Sequence, residues 1–148
     1  KYKISKSVNI ILNEEKKNID MKNFFKFRDK VVLSKLKLNK ILYGLKKRGK
    51  SICAISAPSR SSTLINYVNL DENIIKYVLE IKGSKKIGNY IPGTKIPILE
   101  ESILYKDQPD YALIFSWHIY KEIIQNLRKR GYKGKFIVPL PTPKIINN

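Results

Sequence analysis

Residues 49–67 read GKSICAISAPSRSSTLINY, and the fold turns on them. Ile52, Cys53, Ala54 and Ile55 form a short apolar run that suits a strand buried on both faces. Ala57-Pro58-Ser59-Arg60-Ser61-Ser62 then breaks the run with small and turn-forming residues. Ser61 or Ser62 is placed to cap a helix carrying Leu64, Ile65 and Tyr67. A strand feeding a helix through such a loop aims backbone N–H groups and a helix N-terminus at one point, which suits a phosphate. Arg60 adds a cation there. The loop lacks the glycines of G-x-G-x-x-G and of the P-loop, so on these residues alone an ordinary first βα unit is the simpler reading.

Downstream, strand and helix patterns alternate. Residues 74–81, IIKYVLEI, read as a second strand. Residues 82–95 are rich in Gly, Lys and turn residues, with a type II turn expected at Pro92-Gly93. Residues 96–98 make a short third strand whose proline argues for an edge. A short helix is expected over 100–105, a buried fourth strand over 111–116, and an amphipathic helix from 117 or 118 to 130. Residues 135–138 form a fifth strand, and 140–148, with three nearby prolines, form an extended tail. Five strands with helices between them predict a doubly wound, mainly parallel α/β sheet.

Upstream, residues 1–20 are polar and weakly patterned, with a short extended piece at 9–12. Asp20 is a plausible N-cap for the next segment. From 21 to 48, Phe24, Phe27, Val31, Leu38, Ile41 and Leu45 recur at helical spacing, with Ser34 filling the gap. This predicts one long basic amphipathic helix that ends on Gly49. The chain therefore divides into residues 1–48, a segment built on that helix, and residues 49–148, the α/β domain.

The whole chain has 148 residues and a formal net charge of +18. Residues 1–50 carry a net +12 of this and the remainder +6. Most of the excess thus lies on the long helix rather than beside the candidate anion loop. A solvated basic face is the plainer explanation; polyanion binding, nucleic acid included, is the sharper one. Cys53 is the one cysteine and His118 the one histidine, so neither an internal disulfide nor a transition-metal centre is expected. No apolar run is long enough to cross a bilayer and no signal peptide is evident, so a cytoplasmic location and no membrane partner are expected.

In doubly wound sheets, ligands sit at the carboxyl ends of the strands. That rule selects Ser56, Arg60, Ser61 and Ser62 after the first strand, Glu80 after the second, and Trp117 and His118 after the fourth. Glu80 stands where a dinucleotide-binding fold holds a ribose, although pairing with Lys82 or Lys85 is the plainer role. His118 can act as a general base, donate to a phosphate, or cap its own helix. Trp117 can stack on a base or sugar, or fill space. Residues 85–94, KKIGNYIPGT, make a cationic flap or a solvated loop. Cys53 reads as a small core hydrophobe.

Taken together, several of these segments resemble the C-terminal domain of bacterial S-adenosylmethionine-dependent sugar C-methyltransferases. The match rests on Thr63-Leu64-Ile65-Asn66-Tyr67, on Lys86-Ile87-Gly88, on residues 92–98 (PGTKIPI), on Pro109-Asp110-Tyr111 with Trp117, and on residues 136–139 (FIVP). It covers most of residues 10–143. Serines replace the loop glycines usual in that family, and Glu80 stands where Asp is usual. The resemblance implies a Rossmann-like domain that helps bind a nucleotide-linked sugar or other phosphorylated sugar. It further implies a methyl-donor-binding domain elsewhere, in the same or a partner chain, with S-adenosylmethionine expected there and no cofactor bound by this segment. The segment alone would then not be active. Lys85, Tyr90 and Thr94 would shape the substrate side, Ser56 to Thr63 the anion site, and Trp117 and His118 the cleft, with His118 the one catalytic candidate.

Overall fold

A computed structural model describes residues 4–147. Their contacts divide the chain into two units, Lys1–Leu33 and Ser34–Asn148.

The N-terminal unit is helical. Its first helix, α1 (Lys6–Asn18), has no buried residue. The short extended piece expected at 9–12 is therefore a correction: those residues lie inside α1. An extended piece needs a neighbouring strand for its backbone groups, whereas a helix pairs them within its own turns. The second helix, α2 (Met21–Lys47), starts where Asp20 predicts, with the Asn23 N–H donating to Asp20 Oδ1 at 2.6 Å. It runs on into the second unit and ends on Gly49 at φ +70°, where the Lys50 N–H reaches back to the Leu45 carbonyl. Of its expected stripe, Leu38 and Leu45 are buried, joined by Leu42, while Phe24 and Phe27 are exposed.

The second unit is a doubly wound α/β sheet. Its elements are β1 (Ile52–Ile55), α3 (Ser59–Val68), β2 (Val78–Glu80), β3 (Ile98–Glu100), α4 (Ser102–Asp107), β4 (Tyr111–Ile114), α5 (Tyr120–Lys129), β5 (Lys135–Val138) and β6 (Lys144–Ile146). A 3-10 turn at Trp117–Ile119 leads into α5. The strand order is β3-β2-β1-β4-β5-β6, with the first five parallel and β6 antiparallel to β5. The sheet thus has six strands rather than five, because the expected tail folds back along β5. Pairing satisfies backbone groups that three nearby prolines do not remove from residues 144–146.

Alternate residues of the strands face opposite layers, as the pleat requires. Ile52, Ala54, Val78, Leu113 and Ile137 pack with Leu38, Leu42 and Leu45 of α2 and Leu64 and Ile65 of α3. Cys53, Ile55, Leu79, Ala112, Ile114 and Phe136 pack on the other side with Leu104 of α4 and Leu127 of α5. Cys53 is the small core residue its setting predicts, and burial pushes its thiol pKa up. Beneath the sheet, at the amino ends of its strands, Asp110 joins β4 to β1. Its carboxylate accepts from the Ser51 N–H at 2.9 Å, the Ser51 hydroxyl at 2.8 Å and Lys50 Nζ at 2.9 Å.

Candidate functional site

The order β2-β1-β4 places the switch point between β1 and β4, where crossovers leave in opposite directions and doubly wound folds form their ligand crevice. Two loops meet there. After β1 the chain turns at Ser56, which takes the left-handed conformation (φ 67°), and Pro58 stands at the N-cap of α3. After β4 the 3-10 turn carries Trp117 and His118. Arg60, in the first turn of α3, spans both loops. Its guanidinium carbon lies 5.3 Å from the Trp117 ring centroid, and Nη2 is 3.4 Å from His118 Nε2. A guanidinium only donates, so in this contact Arg60 is the donor and the imidazole nitrogen the acceptor. Trp117 packs its ring on the core while His118 is exposed. Among the sequence candidates, these three residues are brought together by the fold.

The serines behave differently from their expected capping role. Neither Ser61 nor Ser62 is the N-cap, and that position makes no side-chain cap bond. Ser61 is buried and donates to the Pro58 carbonyl at 2.6 Å; Ser62 donates to the Ser59 carbonyl at 2.8 Å. The helix begins at Ser59, three residues earlier than Ser62, so both hydroxyls lie inside it and bond backwards to the chain. Thr63 is exposed on the same helix.

Glu80 ends β2 and is held on its β1 side. Oε1 accepts the Ala57 N–H at 2.6 Å and lies 3.7 Å from Lys86 Nζ. Lys86 Nζ in turn donates to the Ala57 carbonyl at 2.6 Å. The partner is therefore Lys86, and not Lys82 or Lys85. No periodicity in a Gly- and Lys-rich loop distinguishes these neighbours, so sequence reading had no signal for it.

Residues 85–94 are an ordered ribbon. The Gly88 N–H donates to the Ile98 carbonyl and the Ile98 N–H to the Asn89 carbonyl, which covers the outer edge of β3. Tyr90 and Pro97 form an antiparallel bridge. Pro92-Gly93 is the expected turn, closed by the Thr94 N–H on the Ile91 carbonyl at 3.0 Å, with Gly93 at φ +81°. Thr94 is used by that turn: its hydroxyl donates to the Ile91 carbonyl at 2.9 Å and accepts the Ile96 N–H at 3.1 Å. Lys85 and Tyr90 have exposed side chains. Asn66 binds the turn to α3, its amide donating to the carbonyls of Ser62 (2.7 Å) and Pro92 (2.9 Å). As a site-shaping residue Asn66 escaped sequence reading, which had it only inside a motif. Its contact is made across 26 residues.

The crevice can therefore offer a guanidinium, an indole face, an imidazole and the first amides of a ten-residue helix. That set suits an anion next to a flat or sugar ring. Among the described residues, no group of His, Cys, Asp and Glu is arranged to hold a metal, and no helix is long and apolar enough to cross a membrane.

Residues 1–141 match the family described as the C-methyltransferase C-terminal domain. The C-methyltransferase NovU of Streptomyces niveus is 30% identical over 111 residues, which is 74% of this chain and 26% of that protein. The chain thus spans about a quarter of the length of this relative.

Proposed function

This chain belongs to the C-methyltransferase C-terminal domain family, and from that premise we propose that it is the substrate-side domain of an enzyme that methylates carbon on a nucleotide-linked sugar or deoxysugar. The observation that carries the reading is Arg60 laid over Trp117 and against His118 at the switch point. In this reading Arg60 and the first turn of α3 take the diphosphate, with Lys85 adding charge from the ribbon. Trp117 lies against a ring of the ligand, and His118 hydrogen-bonds a hydroxyl or phosphate oxygen. Tyr90, exposed at the ribbon, borders the sugar.

Two features of this chain argue against a methyl donor at this end of the sheet. A donor site of the Rossmann type needs close backbone approach after β1 and a free acid after β2. Here that loop carries Ser56, Ala57 and Pro58, and the Glu80 oxygen already holds Ala57. We therefore assign S-adenosylmethionine to another part of the enzyme. A nucleotide-linked sugar as substrate suits a cytoplasmic setting.

A thermal-shift titration of this chain tests the reading, with deoxythymidine and uridine diphosphate-sugars, S-adenosylmethionine and a short DNA duplex at two salt concentrations. A nucleotide-sugar is expected to raise Tm and the methyl donor to leave it unchanged. Stabilisation by the duplex alone, fading with salt, would overturn it in favour of polyanion binding.

A further inference from the structure

Ala57 is held from both sides by opposite charges. Its N–H donates to Glu80 Oε1 and its carbonyl accepts from Lys86 Nζ, each at 2.6 Å, and the two side chains pair at 3.7 Å. Glu80 is mostly buried, its side chain 12% exposed. The residue before Ala57 is Ser56 in the left-handed region, a conformation that persists only where its surroundings enforce it. The residue after is Pro58, with its φ fixed by the ring, and Arg60 follows within one turn. The backbone that leads from Ser56 into the first turn of α3, and so the place from which Arg60 starts, has little freedom left.

We propose that Glu80 is a positioning residue: with Lys86 it fixes Ala57, and through that loop it sets Arg60 against Trp117 and His118. The acid after β2 thus acts on the protein's own backbone rather than on a ribose. Lys86 is spent in the same clamp, which leaves Lys85 as the ribbon's cation for ligand. The proposal rests on the substrate-side reading for its consequence in catalysis, but the clamp has readouts of its own.

The test compares Glu80→Ala, Glu80→Gln and Lys86→Met. The amide of Ala57 is followed by hydrogen exchange, Trp117 by fluorescence, and the full-length enzyme by kcat and KM. Trp117 is the only tryptophan, so its emission reports the Arg60 contact directly. Glu80→Ala is expected to speed Ala57 exchange about tenfold or more and to shift Trp117 emission. It is also expected to raise KM for the nucleotide-sugar about tenfold with kcat nearly kept. Glu80→Gln keeps an acceptor oxygen and should hold exchange near wild type. Wild-type exchange and emission in Glu80→Ala would overturn the clamp. Should that variant not fold, Lys86→Met carries the test, with a shifted Trp117 emission expected and an unchanged one overturning the proposal. Faster exchange and shifted emission with unchanged KM would uphold the clamp and sink the substrate-side role of Arg60 instead.

Discussion

At Gly93 two requirements coincide. The turn needs φ +81°, and a Cβ built there would overlap Asn66 Oδ1 and approach its Cγ to 3.1 Å. Asn66 cannot move away freely, because its amide is held on two carbonyls. Gly83 has a similar φ, +84°, but open space around its Cβ. Gly83→Ala is therefore expected to cost about 1 kcal/mol of stability, from backbone strain alone. Gly93→Ala is expected to cost about 2–4 kcal/mol, because it also breaks the seat of the turn. Urea unfolding of the two variants checks the difference, and equal costs would mean that the Asn66 contact is not tight. This pairing also explains two motifs at once: Asn66 belongs to one and Pro92-Gly93 to the other, and each satisfies the other's backbone or shape.

Among elements, the helices divide by what they bury. α2 sinks Leu38, Leu42 and Leu45 into the sheet's face, whereas Phe24 and Phe27 nearer its start are exposed. Leu42→Ala should cost about 2–5 kcal/mol, since the cavity left in a close-packed core is only partly refilled. Phe27→Ala should fall within about 0.5 kcal/mol of wild type. Chemical unfolding followed by circular dichroism distinguishes these outcomes, and a large loss at Phe27 would place it in a packed interface. Periodicity announced α2 and its Asp20 and Gly49 ends, because caps and spacing are local. It could not say which part of the stripe meets a partner layer. The same limit explains the strands. β1, β4 and β5 were legible as apolar runs, while β6 was not, because Lys144–Ile146 becomes a strand only by lying along β5. The α1 helix was missed for another reason: it buries nothing, so no apolar face marked it.

For the molecule as a whole, acid stability should depend on Asp110. Its pKa lies at about 2, below the ordinary 3.8, chiefly because the Ser51 backbone N–H bonds the carboxylate and then because Lys50 does so. A depressed folded pKa means stability that is complete above the unfolded value and lost as pH falls through the folded one. The fold should therefore lose part of its stability between about pH 4 and pH 2 through this group. Asp110→Asn should be less stable than wild type at pH 7 and show a flatter decline across that window, as measured by Tm against pH. An undiminished slope would assign acid sensitivity to other carboxylates. The Pro109-Asp110-Tyr111 motif thus contributes to the base of the sheet, at the strand ends opposite the crevice.

Local pattern alone determined the doubly wound α/β class, the type II turn at Pro92-Gly93, the long capped helix and the strand-end positions of the candidate residues. These follow from spacing, capping and turn chemistry within a few residues. Tertiary structure decided that Arg60 meets Trp117 and His118, that Asn66 seats the turn, and that Glu80 pairs with Lys86 while holding Ala57. It also turned Ser61 and Ser62 inward to their own helix. Each of these depends on which strands lie side by side and on where a helix begins to within a turn. Strand order is set by the burial of two sheet faces at once, a property of the whole chain that no single window of sequence contains.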